Sequence, residues 1–120
     1  MSSSEDGLFA KSEPQVAAAY RALLAALERL GPFQTEPKKT SIHLVAGSAF
    51  AGVHPQKAKL RLNVRSDHAI ASDRVRKTEQ VSARRFHNEI DLAGPSDVDA
   101  ELMEWLAAAY ALGQPAPVRA

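Results

Sequence analysis

Four histidines, at positions 43, 54, 68 and 87, are the residues of this chain best suited to acid–base chemistry, because imidazole titrates near neutrality. No two of them stand four apart on one helix face, the spacing that would chelate a metal ion. The chain has no cysteine, so neither a thiolate nucleophile nor a Cys-ligated zinc is available. No metal and no cofactor is expected. His43 and His87 fall on outward-facing strand positions, where either one beside Glu89 could serve as a general base, with Arg61 holding the substrate. His54 and His68 sit in a turn and a polar loop, where a surface role is the simplest reading. Gly47 and Gly52 have the separation of a phosphate loop, but Val53 and His54 follow where Lys and Ser or Thr are needed. Asp97, Asp99 and Glu101 lack the glycine and final glutamate of a calcium loop, so they are read as compensating a helix dipole.

Anion recognition is the better-supported chemistry. Residues 38–85 hold eleven basic and three acidic side chains, a balance of +8, while the rest of the chain carries −7. The overall charge of +1 conceals this segregation, which steers anions toward one side. Residues 57–65 alternate strictly, with Lys57, Lys59, Arg61, Asn63 and Arg65 polar and Ala58, Leu60, Leu62 and Val64 apolar. A half-buried strand requires this period of two. His43, Lys59 and Arg61 would then border a shallow floor of small residues, built from Ala49 and Ala51 or from Ser48 and Gly52. Guanidinium groups there could grip phosphate or carboxylate in bidentate fashion. The competing reading is a solvated face that discourages edge aggregation, with Glu89 and Asp91 pairing with the cations. Only seven aromatic residues exist, and most fall on apolar stripes, which leaves little for base stacking.

Two helices and several strands must position these groups. The first helix is expected over 14–30, capped by Ser12, with Val16, Tyr20, Leu23, Leu24, Leu27 and Leu30 on one stripe before Gly31-Pro32. The second is expected from 97 or 98 to 112, capped by Ser96, with Val98, Leu102, Trp105, Leu106 and Ala109 on its stripe. Strands are expected over 41–46, with Ser41 and His43 outward, over 49–53, 57–65 and 86–92, and weakly over 74–79. Turns fall at 46–48 and 54–56. Asn88 breaks the alternation of the 86–92 strand. The order implies an α+β two-layer sandwich, an antiparallel sheet with the N-terminal and C-terminal helices packed on one face.

With 120 residues, 45% of them apolar, the chain has room for one core. Residues 12–113 are read as one domain, 1–11 as a flexible arm on which Leu8 and Phe9 dock locally, and 114–120 as a flexible tail. No stretch of about 18 apolar residues exists to span a membrane, and the start lacks a secretory pattern. A cytoplasmic protein with no membrane partner is expected.

Several stretches taken in order resemble a known family. They are Leu30-Gly31-Pro32, Lys39-Thr40-Ser41-Ile42, Phe50-Ala51-Gly52-Val53 with Lys57-Ala58-Lys59-Leu60, and Arg85-Phe86-His87. Asp97-Val98-Asp99-Ala100-Glu101-Leu102, Trp105-Leu106 and Ala109-Tyr110 complete the series. Together they are similar to the bacterial domain of unknown function 5655 family. The resemblance implies a small α+β domain and directs attention to Lys39, Arg85 and His87; it carries no activity.

The combined expectation is a non-enzymatic module that binds an anionic small molecule or nucleic acid on the basic sheet face, through Lys39, His43, Lys59, Arg61, Arg85 and His87. A small enzyme using His43 or His87 as base is the first alternative. A protein-interaction or homodimerisation surface on the open face is the second.

Overall fold

The alternating segment lies at the middle of the fold because its aliphatic side chains need covering on one side only. In the computed structural model, which describes residues 7–113, Leu60, Leu62 and Val64 are fully buried while Arg61, Asn63 and Arg65 are half-exposed. Six strands form one antiparallel sheet: β1 (Gln34–Pro37), β2 (Ile42–Ala46), β3 (Ser48–Pro55), β4 (Leu60–Ser66), β5 (Val75–Ser82) and β6 (Arg85–Leu92). Their spatial order is β1-β2-β3-β4-β6-β5, so the chain passes from β4 to the far edge before returning through β6. Helix α1 (Pro14–Leu27) and helix α2 (Ala100–Gly113) cover one face of the sheet. Val16, Leu23 and Leu27 of α1 and Leu102, Leu106 and Ala109 of α2 join Ile42, Leu44, Val53, Leu62, Ile90 and Leu92 in one core. This is the two-layer α+β sandwich that the sequence implies, and among the described residues no element covers the second sheet face. Cutting Leu62 to alanine at this centre costs roughly 2–5 kcal/mol.

Several local readings need correction. Ser12 does not cap α1; Glu13 precedes the helix without a side-chain cap, because the Ser12 hydroxyl donates to the Gln56 carbonyl at 2.7 Å. That bond and Glu13 N–H to Lys57 O, 2.7 Å, fix the helix start against the β3–β4 turn. Helix α1 ends at Leu27 instead of Leu30, since Arg29 and Leu30 donate three residues back to Ala26 and Leu27, tightening the final turn. Ser96 does not cap α2 either. The Asp99 carboxylate accepts from Leu102 N–H at 3.0 Å, and Pro95–Asp97 forms a separate 3-10 turn.

The strand expected from residue 57 starts at Leu60, and β3 runs through His54 and Pro55 where a turn was expected. Gln56 N–H donates to Lys59 O at 2.9 Å, so the first three alternating residues make the hairpin turn. Ser41 precedes β2 and is buried. The edge strand β1 has no signal in the sequence, being three polar residues and a proline. Leu8 and Phe9 do pack on the domain, the Phe9 ring lying 5.1 Å from that of Tyr20. The N-terminal arm up to residue 6 and the 114–120 tail lie outside the described residues.

Asn88 is fully buried on the helix-facing side of β6. Its amide donates to Val64 O at 3.0 Å and Ser66 Oγ at 2.9 Å, and accepts from Ile70 N–H and Thr78 Oγ1. All four of its hydrogen-bonding positions are used. The residue that spoils the alternation thereby ties the 66–70 loop and β5 to the sheet.

Candidate functional site

The uncovered face is shaped by one irregularity. Between β2 and β3 the pairing passes from Leu44–Ala51 to Val45–Ala49, so Phe50 is an extra residue. A bulge of this kind breaks the period of two. Phe50 turns inward, fully buried, and meets Phe33 and Tyr110 edge-on at 6.4 and 5.4 Å between ring centres. Ala51 and Val53 are buried as well, which leaves Ala49 and Gly52 to floor the open side. Neither simple alternation expected for β3 holds, yet the floor of small residues does form. His43 of β2 lies opposite Gly52, and Gly52 lies opposite Asn63 of β4. The result is a cleft of about 170 Å³ lined by His43, Gly52, His54, Asn63, Arg65, Arg85 and His87, with Ala49 and Phe50–Ala51 beneath.

The β4–β6 register decides the electrostatics of this face. Arg61 lies opposite Asp91, Asn63 opposite Glu89, and Arg65 opposite His87. At the first two of these rows the cations are neutralised. Arg61 Nε donates to Asp91 Oδ1 at 3.1 Å, Lys59 Nζ approaches Asp91 Oδ2 at 3.2 Å, and Arg76 Nη1 holds Glu89 Oε1 at 2.7 Å. Burial pushes the Asp91 carboxyl up, but the hydrogen bonds from Arg61 and Lys59 prevail and hold it below the usual carboxylate range.

Two strand positions further on, the residue across from the β4 arginine is His87 and not an acid. Arg65 and Arg85 have no carboxylate within ion-pair distance among the described residues. Arg65 Nη1 donates to Ser48 Oγ at 3.1 Å, which fixes its fork beside the β2–β3 turn. Arg85 Nε is buried and has no hydrogen-bond partner among the described residues. Burial lowers the pKa of Arg65, and the neighbouring Arg85 lowers it further. Burial likewise pushes His87 below its ordinary value, with Arg85 and Arg65 adding to the shift and Glu79 opposing it. His87 is thereby biased toward its neutral form, which can donate one N–H.

Of the residues singled out in the sequence, His43, Arg85 and His87 meet at the cleft. Lys59 and Arg61 lie at the far, ion-paired end of the same face. Lys39 sits in the β1–β2 turn, away from the cleft. His43 and His87 are three strands apart, about 14 Å of backbone, so they form opposite walls. The expected His–Glu89 pair is not made: Glu89 is engaged by Arg76 and Arg61, and the carboxylate across from His87 is Glu79. Arg65, Asn63, Gly52 and His54 were not singled out as site residues. Alternation places Arg65 and Asn63 on this face, but only the strand register separates them from the paired cations. His54 required the longer β3.

The fold and this cleft define a small α+β module whose open sheet face carries a recessed cationic pocket. The chain belongs to the family described as Domain of unknown function (DUF5655), which matches residues 5–113. Comparison with curated proteins and with solved structures gives no match. Among the described residues, no helix is long and apolar enough to cross a membrane.

Proposed function

We propose that this domain is a non-enzymatic module that binds a phosphate group, free or as a small ester, in the cleft between Arg65, Arg85 and His87. The observation that carries this reading is the pair of arginines without carboxylates, one of which keeps a buried, unpartnered Nε–H. A buried donor without an acceptor is costly, and two like charges held side by side raise that cost. A dianion placed between the guanidinium groups relieves both. Asn63 and neutral His87 add N–H donors on the same wall, and Gly52 keeps the floor low enough for a phosphate to approach.

The paired state of Lys59, Arg61 and Arg76 favours a compact ligand over a nucleic-acid strand, which needs a continuous track of free cations. Calorimetric titration at low salt with inorganic phosphate, a nucleoside 5′-monophosphate and a single-stranded oligonucleotide tests the proposal. Phosphate and the monophosphate bind one to one. Removing one charged hydrogen-bond partner, as in Arg65→Ala or Arg85→Ala, costs roughly 1.5–3 kcal/mol, about 10-fold to 150-fold in affinity. Lys59→Ala leaves affinity unchanged. No binding at millimolar phosphate, or unchanged binding in both arginine variants, overturns the reading. Preferential oligonucleotide binding that falls steeply with salt replaces it with a nucleic-acid one.

A further inference from the structure

The two edges of the sheet are built differently. β1 is four residues long and ends on Pro37, a short edge that resists addition of a strand. β5 is eight residues long, every residue from 76 to 82 is exposed, and among the described residues no strand lies beyond it. Charged side chains commonly guard such edges, and like charges set opposite one another repel a second copy. β5 instead reads Val75-Arg76-Lys77-Thr78-Glu79-Gln80-Val81, a segment complementary to its own reverse about Thr78.

We propose that β5 is a homodimerisation edge, pairing antiparallel with β5 of a second copy about a two-fold axis at Thr78. In that register Lys77 of each copy faces Glu79 of the other, and Thr78 faces Thr78. Lys77 and Glu79 oppose Glu89 and His87 of β6, so both belong to the open side, and the two ion pairs lie on the same face of the joined sheet. Opposite charges and paired threonines across an antiparallel ladder are stabilising. Within the regular stretch between the bulges at Arg76 and Val81, residues 77–79 supply the central ladder.

Neighbouring registers are excluded by the same charges. An axis at Lys77 sets ammonium against ammonium, and an axis at Glu79 sets carboxylate against carboxylate. The axis stands normal to the sheet, so a continuous sheet of twelve strands results and both clefts open on the same side. This inference does not depend on what the cleft binds.

Sedimentation velocity of the full chain, in a concentration series reaching about 0.5 mM because edge pairing alone makes a small interface, is the test. The mass rises from 12.9 kDa toward twice that value. Lys77→Glu and Glu79→Lys, both at exposed positions, each weaken dimerisation tenfold or more by setting like charges across the axis. Mixing the two variants in equal amounts restores a dimer, because each copy then meets the opposite charges, and the double variant K77E/E79K dimerises by itself. A single 12.9 kDa species throughout the series overturns the inference. So does a dimer that survives Lys77→Glu or Thr78→Pro, or a mixture that stays monomeric.

Discussion

The open face of the sheet has two ends made from similar cations in opposite arrangements. At the paired end, Arg61, Lys59 and Arg76 close on Asp91 and Glu89, with their shortest contacts between 2.7 and 3.2 Å. At the cleft end, Arg65 and Arg85 sit as diagonal neighbours on adjacent strands, about 7–8 Å apart at the backbone, and neither forms an ion pair among the described residues. The first arrangement serves the fold, because each charge is satisfied by a cross-strand neighbour. The second opposes the fold, since burial and mutual repulsion act on the same pair of guanidinium groups. Groups that work against stability mark the places where binding is selected. Basic residues on one sheet face are therefore not one surface, and the acids on β6 divide them.

The sharpest way to break the contrast is to fill the cleft without touching a charge. A Cβ on Gly52 would meet only His43 Cδ2 and Ile42 O, both at 3.7 Å, so the fold accepts a side chain there. Gly52→Leu is expected to reduce phosphate affinity about tenfold or more, near 1.4 kcal/mol, while the thermal midpoint holds or rises because a strand glycine is intrinsically unfavourable. Unchanged affinity in that variant would move the binding site elsewhere.

Next in size is the paired end. Asp91→Ala leaves Arg61 and Lys59 without their main acid and is expected to cost about 1 kcal/mol in urea denaturation, with no loss of phosphate binding. Because the Asp91 carboxyl is held below its usual 3.8, this contribution is complete above that pH. It disappears as the pH falls through the folded-state value. The destabilisation caused by the substitution should shrink over that acidic window, which a denaturation series at several pH values reads directly.

Arg85 offers the opposite sign. Arg85→Gln removes one of two like charges and is expected to stabilise the unliganded protein by a few tenths of a kcal/mol, measured in the same urea experiment. Destabilisation there would mean that Arg85 has a structural partner and that the two ends do not differ.

The smallest effect is spectroscopic. His87 should titrate below 6.5 in the free protein. With sulfate, whose charge is constant over this range, its midpoint should rise as the anion offsets the neighbouring guanidinium groups. A midpoint unmoved by saturating sulfate would place the anion outside the cleft.

Much of the architecture is legible in single residues. The stripes Val16–Leu23–Leu27 and Leu102–Leu106–Ala109 follow from helical spacing, and Leu60, Leu62 and Val64 follow from a period of two. The failures share one cause. Ser12 satisfies every local rule for a helix cap, but the Gln56 carbonyl, 44 residues away, takes its hydroxyl. Asn88 looks like an interruption until four partners from β4, β5 and the 66–70 loop are assembled around it. Phe50 defeats the alternation of β3 because Phe33 and Tyr110, brought from both ends of the chain, make a place for its ring.

What the sequence determined by itself is which side chains share a face: alternation fixed that Arg61 and Arg65 both turn away from the core, since any other arrangement would put Leu60 and Leu62 in water. Which of those two arginines is free was decided only in three dimensions. The pairing of β4 with β6 sets Asp91 beside Arg61 and His87 beside Arg65, and a slip of two residues, with every aliphatic group still buried, would set Glu89 beside Arg65. Hydrophobic burial selects the face and is indifferent to such a slip. Only the packed ends of the strands, the bulge at Phe50 and the hydrogen bonds of Asn88 hold the register that leaves the cleft its charge.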